Sequence, residues 1–356
     1  MSLLVASYLV AGLMLLVAGA EALVRGASRL AIRLGIAPLI VGLTIVALGT
    51  SSPETAIGLQ ASLSGRGDLA VGNALGSNIA NILLILGLCA LVAPLLVSRQ
   101  LIRLDIPVML ATGGLAYLLA HDGRLSHGDG ALLLLAMLGY SAFLVFAARH
   151  ERRHAAAPPP RRADTGAPGW LAQVPLILLG LGLLVVGSRL LVEGASSLAR
   201  AFGLSELVIG LTVVAVGTSL PELATSLLAV LRGQRDIAVG NVVGSSIYNL
   251  TLVLGSAASL APGGLSISPN ALAFDFPVML AVFAACLPIF FSGYCINRWE
   301  GLLFFGYYLA YCLYLVLFAA GLGALELLRH AMTWYVLPLT ATTLAVIFLR
   351  AWKRRH

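Results

Sequence analysis

Residues 41–51 read Val41-Gly42-Leu43-Thr44-Ile45-Val46-Ala47-Leu48-Gly49-Thr50-Ser51, and the pattern returns as Ile209-Gly210-Leu211-Thr212-Val213-Val214-Ala215-Val216-Gly217-Thr218-Ser219. The offset is 168 residues (218 − 50). A second block keeps it: Ala70-Val71-Gly72-Asn73, Gly76-Ser77 and Asn81 recur as Ala238-Val239-Gly240-Asn241, Gly244-Ser245 and Asn249. Leu23-Val24, Gly26-Ala27-Ser28 and Leu30-Ala31 recur at 191–199, and Asp105-Ile106-Pro107-Val108-Met109 returns as Asp275-Phe276-Pro277-Val278-Met279. A self-similarity this long marks a duplicated half-molecule.

Composition sets the solvent in which the halves fold. The chain has 60% hydrophobic residues, 10% charged residues and a mean hydropathy of +0.98, and it repeatedly reaches the apolar length that spans a bilayer. An all-α polytopic membrane protein is expected, with spans near 3–24, 36–63, 69–93, 104–120, 130–148, 170–199, 204–231, 237–260, 271–293, 299–321 and 334–350. The stretch Met1 to Gly19 lacks the basic start of a cleaved signal and reads as a retained first span. Most of the 22 basic residues fall in loops on one side, which predicts an external amino terminus with the central linker and carboxyl terminus cytoplasmic. The net charge of +7 sits in these clusters, so nucleic acid is not an expected partner. No GxxxxGK[ST] loop is present, so neither a nucleotide nor an ATP-driven pump is expected. Cys89, Cys286, Cys295 and Cys312 show no metal spacing and read as packing residues.

The seventh helix is five spans on from the second, an odd step, so the two copies enter the membrane from opposite sides. That is the inverted repeat of secondary transporters, whose substrate site lies at the repeat interface near mid-membrane. The expected organisation is a first repeat over 1–148, a cytoplasmic linker over 149–169 carrying Pro158-Pro159-Pro160, an inverted second repeat over 170–321, and an extra helix with a basic tail over 322–356. Ten spans thus form two five-helix repeats, and one C-terminal span lies outside them.

The chemistry sits in Gly49-Thr50-Ser51-Ser52-Pro53-Glu54 and its twin Gly217-Thr218-Ser219-Leu220-Pro221-Glu222. A carboxylate within a span costs about 2.5–3.5 kcal/mol on insertion scales, so such a residue faces a polar interior and carries function. Pro53 and Pro221 cannot donate to the carbonyls of Gly49 and Gly217, and each helix should break there. Thr50 and Glu54 are four apart on one helical face, as are Ser77 and Asn81 on the next helix. Two copies converge carboxylates, amides, hydroxyls and bared carbonyls, all oxygen, which suits a hard cation such as calcium. Sodium would compete for the same oxygens, and competition is the basis of exchange. Asp105 and Asp275, just before prolines, read as helix caps. Glu21, Glu193 and Glu206 read as interfacial charges, with Glu206 capping the seventh helix. Gly72, Gly76, Gly87, Gly240, Gly244 and Gly255 read mainly as close-packing residues.

The stretches Gly42 to Gly87 and Gly210 to Gly255 resemble the α-repeats (37–88 and 205–256) of the cation/calcium exchanger superfamily, in its prokaryotic sodium/calcium exchanger branch. The resemblance implies that Glu54 and Glu222 are the carboxylates shared by calcium and sodium. Thr50, Ser51, Ser77, Asn81, Thr218, Ser219, Ser245 and Asn249 would complete the sites, and the carbonyls of Ala47 and Ala215 would help hold sodium. It also implies helices one and six sliding across a static core. An antiporter without a cofactor or enzymatic activity, in a bacterial inner membrane, is expected, with a monomer as the expected state. Potassium-dependent relatives carry aspartate at the position of Asn249, so potassium co-transport is disfavoured. Proton/calcium exchangers have a different signature, which leaves protons second to sodium as the coupling ion, and another divalent ion is a further alternative cargo. A passive cation channel is a third reading. Gly65-Arg66-Gly67-Asp68 spells the GxGD of intramembrane aspartyl proteases, but Gly233-Gln234-Arg235-Asp236 breaks the pattern and no second membrane aspartate pairs with Asp68. Acid is expected to inhibit transport by protonating Glu54 and Glu222.

Overall fold

The computed structural model describes residues 3–154, 173–202, 213, 215–291, 293–321, 324–343 and 345. The entry to the seventh expected span, Glu206, most of the central linker and the tail lie outside these residues. The helices are α1 (Leu3–Leu34), α2 (Pro38–Thr50), α3 (Ser52–Leu63), α4 (Gly67–Val92), α5 (Leu101–Leu119), α6 (His127–His154), α7 (Gln173–Ala201), α8 (Ala215–Thr218), α9 (Leu220–Leu231), α10 (Arg235–Leu260), α11 (Ala271–Phe291), α12 (Arg298–Ala319) and α13 (324–343). Among the described residues eight helices are long and apolar enough to cross a membrane, and α2 with α3, bent by 42°, makes a ninth. The chain is an integral, multi-pass, all-helical membrane protein.

Boundaries differ from expectation most at three places, the first being α1, which runs to Leu34, ten residues past the expected end of the first span at 24. The segment assigned to the linker is still helical to His154, because nothing before Pro158 stops the helix. The last helix begins at Ala324 rather than near 334, as soon as good helix formers follow the stop at Gly321, whose φ is 62°.

α2 stops at Thr50 and α3 resumes at Ser52, with Ser51 between them at φ −80°, ψ 6°. The cause is Pro53 in the first turn of α3, which has no N–H for the turn before it. Ser219, at φ −89°, ψ 8°, makes the same break before α9 and Pro221. Wide π-turns recur in pairs as well: Asn81–Leu86 in α4 matches Asn249–Val253 in α10, and Leu101–Asp105 in α5 matches Ala271–Asp275 in α11. In the second pair Ile106 N–H donates to the Leu101 carbonyl and Phe276 N–H to that of Ala271, which accommodates the following proline.

That geometry corrects the reading of Asp105 and Asp275 as caps. Neither stands at a helix start, since α5 and α11 already run through them, and Asp105 makes no side-chain cap bond. Each accepts a tyrosine hydroxyl instead: Tyr140 donates to Asp105 Oδ1 at 3.0 Å and Tyr311 to Asp275 Oδ1 at 3.1 Å. The pairs tie α5 to α6 and α11 to α12.

Two short antiparallel ribbons establish the inversion. β1 (Leu95–Leu96) pairs with β4 (Cys295–Ile296), and β2 (Arg124–Leu125) pairs with β3 (Leu265–Ser266). By the repeat, β1 corresponds to β3 and β2 to β4. β1 and β2 flank α5, so they lie at its opposite ends. Because β1 meets β4 while its equivalent β3 meets β2, equivalent loops lie on opposite faces of the bundle, and one half is upside down relative to the other.

α4 and α10 are the centre, with 78% and 94% of their apolar windows buried against 22% for α1 and 17% for α12. Around them Leu13, Met14, Leu118, Leu135 and Phe146 point outward, as a lipid-facing surface requires. α1 and α7 form an antiparallel pair over two sets of glycines, 12, 19, 26 and 180, 187, 194, each repeating every seven residues. A Cβ on Gly19 would lie 2.8 Å from the Gly180 carbonyl and the Leu184 nitrogen, and one on Gly187 would lie 2.7 Å from the Leu16 nitrogen. No larger residue fits between these backbones. The expected packing role of Gly240 and Gly244 has the same basis, since a Cβ on either would stand 2.7 Å from a carbonyl of α2, at Leu39 and Leu43 respectively.

Candidate functional site

The broken helices present their breaks to the central pair, α4 and α10, and the halves interlock through side chains. Ser51 Oγ donates to Glu222 Oε1 at 3.2 Å. Thr50 Oγ1 donates to Asn241 Oδ1 at 3.0 Å and lies 3.4 Å from Ser245 Oγ. Asn241 in turn donates through Nδ2 to Ser226 Oγ at 2.9 Å. The Ala47 carbonyl accepts from Ser51 N–H at 3.0 Å and, at 3.4 Å, from both the Thr50 and Ser245 hydroxyls. Residues from the first copy thus reach those of the second at mid-chain separations of 171 to 198.

The backbone just behind each carboxylate is pinned alike in both halves. Asn73 Nδ2 donates to the Glu54 carbonyl at 3.4 Å and Asn241 Nδ2 to the Glu222 carbonyl at 3.5 Å. The carbonyl of Gly217, freed by Pro221, accepts from Ser188 Oγ of α7 at 2.6 Å. A bared carbonyl at the break is therefore engaged by the neighbouring helix.

The side-chain oxygens at the centre are buried and largely without protein partners. Glu54 is 0% exposed and neither of its carboxylate oxygens accepts a hydrogen bond; Glu222 is 1% exposed, with Oε1 taken by Ser51 and Oε2 without a partner. Ser77 Oγ, Ser219 Oγ, Asn81 Oδ1 and Asn249 Oδ1 are in the same condition. An unpaired buried polar group costs about 1–3 kcal/mol, and more when charged. So many together, at the junction of two repeats, form a set of oxygen donors left for something positive. The two carboxylates also repel one another across the site. All these groups are hard oxygen donors, the set that binds calcium or sodium rather than a softer metal. Among the described residues no cluster of three or more histidine, cysteine or acidic side chains exists elsewhere as a competing metal site.

The sequence-selected residues are placed as follows. Glu54, Glu222, Thr50, Ser77, Asn81, Ser245 and Asn249 are all buried on α2, α3, α4, α9 and α10, Ser51 and Ser219 are buried at the two breaks, and Thr218 is 8% exposed at the end of α8. Ala47 offers its carbonyl beside Thr50 and Ser245, and Ala215 begins α8. Asp68 of the GxGD tetrapeptide is exposed at the first turn of α4, away from both carboxylates, which removes the geometry an acid dyad needs. Glu21 is not a lone interfacial charge: it accepts from Arg25 and forms a bridge to Arg232 Nη2 at 2.8 Å, tying α1 to the end of α9. Glu193 is exposed. Sequence reasoning missed Asn78 and Ser226, buried polar residues bonded to Asn249 and Asn241 respectively, and Thr225, which is fully buried on α9. A search for polar side chains in apolar helices flags them without assigning a role.

Comparison with known proteins follows the same lines. A family model described as sodium/calcium exchanger protein matches residues 4–146 and 173–317. The chain is 45% identical over 284 residues to the inner membrane protein YrbG of Escherichia coli, covering 79% of this chain and 86% of that one. It is 33% identical over 337 residues to the sodium/calcium exchanger MaX1 of Methanosarcina acetivorans, covering 85% and 96%. Among solved structures, the sodium-calcium exchanger NCX_Mj superposes with a TM-score of 0.74 at 33% identity, covering 87% of this chain and 98% of that one.

Proposed function

The chain belongs to the sodium/calcium exchanger protein family, and from that premise we propose that it is a secondary antiporter that exchanges sodium for calcium by alternating access, extruding calcium at the expense of the sodium gradient. As a member of a transporter family it moves ions rather than catalysing a covalent reaction. The observation that carries the reading is the set of unpartnered buried oxygens on Glu54, Glu222, Ser77, Ser219, Asn81 and Asn249 where the two inverted halves meet.

Two glutamates balance one calcium ion, and Thr50, Ser51, Ser77, Asn81, Thr218, Ser219, Ser245 and Asn249 supply neutral oxygens around it. Calcium accepts six to eight such ligands with flexible geometry. Sodium ions occupy subsets of the same oxygens, with the Ala47 and Ala215 carbonyls joining, so that sodium and calcium exclude one another at Glu54 and Glu222. Asparagine at both 81 and 249 leaves only two acids in the centre, which supports calcium/sodium exchange without potassium. The likeness to MaX1, a sodium/calcium exchanger, and to NCX_Mj, a sodium-calcium exchanger, supports the same pairing of ions.

In the proposed topology ten spans form the inverted repeats over 1–148 and 170–321, α13 is an eleventh, and the amino terminus is external. The linker and tail then face the cytoplasm of a bacterium, in its inner membrane, where the basic residues of both favour the inner side. The protein works as a monomer within the lipid bilayer and needs no cofactor.

The test is uptake into proteoliposomes. Sodium-loaded vesicles diluted into sodium-free medium should accumulate calcium, and collapse of the sodium gradient should stop it. Manganese and magnesium, scored beside calcium under sodium, potassium and proton gradients, decide the cargo and the coupling ion. A proton gradient that drives calcium while sodium does not would move the assignment to proton/calcium exchange, and flux independent of either gradient would make the protein a channel.

A further inference from the structure

We infer that Asn78, through a one-way chain of hydrogen bonds running Met279–Asn78–Asn249, is a positioning residue that fixes the carbonyl oxygen of Asn249 toward the ion site and so makes the two halves of that site unequal. The inference rests on the ion site proposed above.

The chain starts at Met279 of α11, which is fully buried. Asn78 Nδ2 lies 3.4 Å from its Sδ. A thioether sulfur accepts hydrogen bonds and donates none, so the Asn78 amide must present its nitrogen to Met279 and its oxygen away from it. That oxygen, 3.2 Å away, is what Asn249 Nδ2 donates to. With its nitrogen so engaged, Asn249 can only turn its own Oδ1 to the other side, and that atom is buried without a protein partner. The direction of the second amide therefore follows from the chemistry of the sulfur two links away. In an otherwise symmetric amide an orientation of this kind decides whether a cation meets an oxygen or an N–H.

The other half lacks the device. The repeat offset of 168 pairs Asn78 with Ser246, whose hydroxyl bonds back to the Val242 carbonyl of its own helix at 2.8 Å. Asn81, the counterpart of Asn249, accordingly has no partner on either Oδ1 or Nδ2. Its amide is free to turn, whereas that of Asn249 is set. Both asparagines begin π-turns at the same place in α4 and α10, so the backbone does not account for the difference. Asn249 is thus a committed oxygen ligand and Asn81 an adaptable one, and a site that must alternate between a divalent ion and sodium has one arm of each kind.

The test uses Asn78→Ser, which installs the residue of the other copy, and Met279→Leu, which keeps volume and removes the acceptor. The reading is half-saturation in proteoliposomes for whichever divalent cation the wild-type protein carries. Failure with calcium alone then overturns the cargo, while the relay is judged on ratios between variants. Asn78→Ser should raise half-saturation about tenfold and Met279→Leu about threefold, in line with the loss of one or two neutral hydrogen bonds. The double variant should be no worse than Asn78→Ser alone, because the two act in series. The third arm is Asn249→Asp. A carboxylate accepts at both oxygens, so Asn78 must turn its nitrogen toward it, and the sulfur loses its donor. In that background Met279→Leu should leave half-saturation unchanged.

A Met279→Leu cost equal in both backgrounds would reveal packing rather than a relay and overturn the inference, as would additive single effects or an Asn78→Ser variant within twofold of wild type. Size-exclusion profiles and melting temperatures identify any variant that fails to fold. For such a variant the comparison passes to Asn78→Leu, a side chain of similar size that can neither donate to Met279 nor accept from Asn249 Nδ2; it should raise half-saturation more than twofold, and a value within twofold of wild type overturns the inference. A wild-type protein that carries no divalent cation overturns the relay and the exchange reading together.

Discussion

The two glutamates are equivalent by the repeat but not by their surroundings, and that difference predicts unequal mutants. Replacing carboxylate by amide preserves shape and removes one negative charge. Glu54 has no protein donor on either oxygen, so both are available to an ion, and in Glu54→Gln one becomes an NH2 that faces the cation. Glu222 has committed Oε1 to Ser51, so only Oε2 is lost as an ion contact in Glu222→Gln. A hydrogen-bonding contact to a charge is worth about 1.5–3 kcal/mol. Either substitution turns one ion-facing oxygen into an NH2, a loss of about 1.5–3 kcal/mol or roughly ten- to a hundredfold in calcium affinity; at Glu54 the second ion-facing oxygen also becomes a neutral carbonyl, so the loss there is the larger. At limiting calcium both variants should therefore show strongly reduced sodium-driven uptake, while calcium titration by calorimetry ranks Glu54→Gln below Glu222→Gln. The same substitutions relieve repulsion between two buried carboxylates, so each variant should melt at a higher temperature than wild type in chelator. Undiminished uptake in either variant would refute the site, and the opposite ranking would refute the accounting of partners.

Acidification from pH 8 to pH 6 should raise the calcium concentration needed for half-maximal uptake without lowering the maximal rate at saturating calcium. Protons and calcium compete for Glu54 and Glu222, and a fall in maximal rate alone would place the effect elsewhere. Gly19→Leu should abolish transport, since its side chain has to enter a gap where even a Cβ stands 2.8 Å from the Gly180 carbonyl; a Gly19→Leu variant with normal rates would show that α1 and α7 need not touch. Tyr140→Phe leaves Asp105, 0% exposed, without its hydroxyl donor and should destabilise the protein by about 1–3 kcal/mol, read as a lower melting temperature with calcium half-saturation unchanged.

Much of this molecule is legible in the sequence because duplication repeats the signal. Thr50 and Glu54 acquire meaning when Thr218 and Glu222 return in the same frame, and an odd step of five spans from one helix to its copy implies inversion from the sequence alone. The broken helices are readable at Pro53 and Pro221 from the missing N–H alone. What the repeat reveals it also limits: a search for matched residues passes over Asn78, because Ser246 stands in the other copy. The tyrosine partners of Asp105 and Asp275 lie 35 and 36 residues away on different helices, so proximity to a proline made them look like caps. The glycines of the seam between α1 and α7 are not among those singled out from the sequence for close packing, because which glycines face each other is a property of antiparallel register. The end of α6 and the start of α13 were misplaced for a simpler reason. Hydropathy marks where a helix leaves the bilayer, and nothing requires the helix itself to stop there.

The glycine seam also constrains how access can alternate. With Gly12, Gly19, Gly180 and Gly187 set directly against partner backbone, α1 and α7 cannot shift past each other without climbing side chains over one another, so they should move as one body. Their contacts with the rest of the protein are of another kind. Leu181 of α7 lies where a Cβ on Gly49 would be, 2.6 Å from its Cδ2, and Val192 covers Gly217 in the same way. Those two side chains are 11 residues apart, which is about 16 Å along a helix. A translation of the pair therefore acts on both breaks at once, carrying one apolar side chain off its glycine as the other is driven along its own. The polar ties between this pair and the core include the Ser188 hydroxyl on the Gly217 carbonyl and the Glu21–Arg232 bridge at the half-exposed rim. An exposed ion pair contributes at most about 1 kcal/mol, enough to bias the resting position several-fold and too little to lock it. Rigid coupling within the pair and light tethering to the core are together what a two-state slide across a fixed ion site requires.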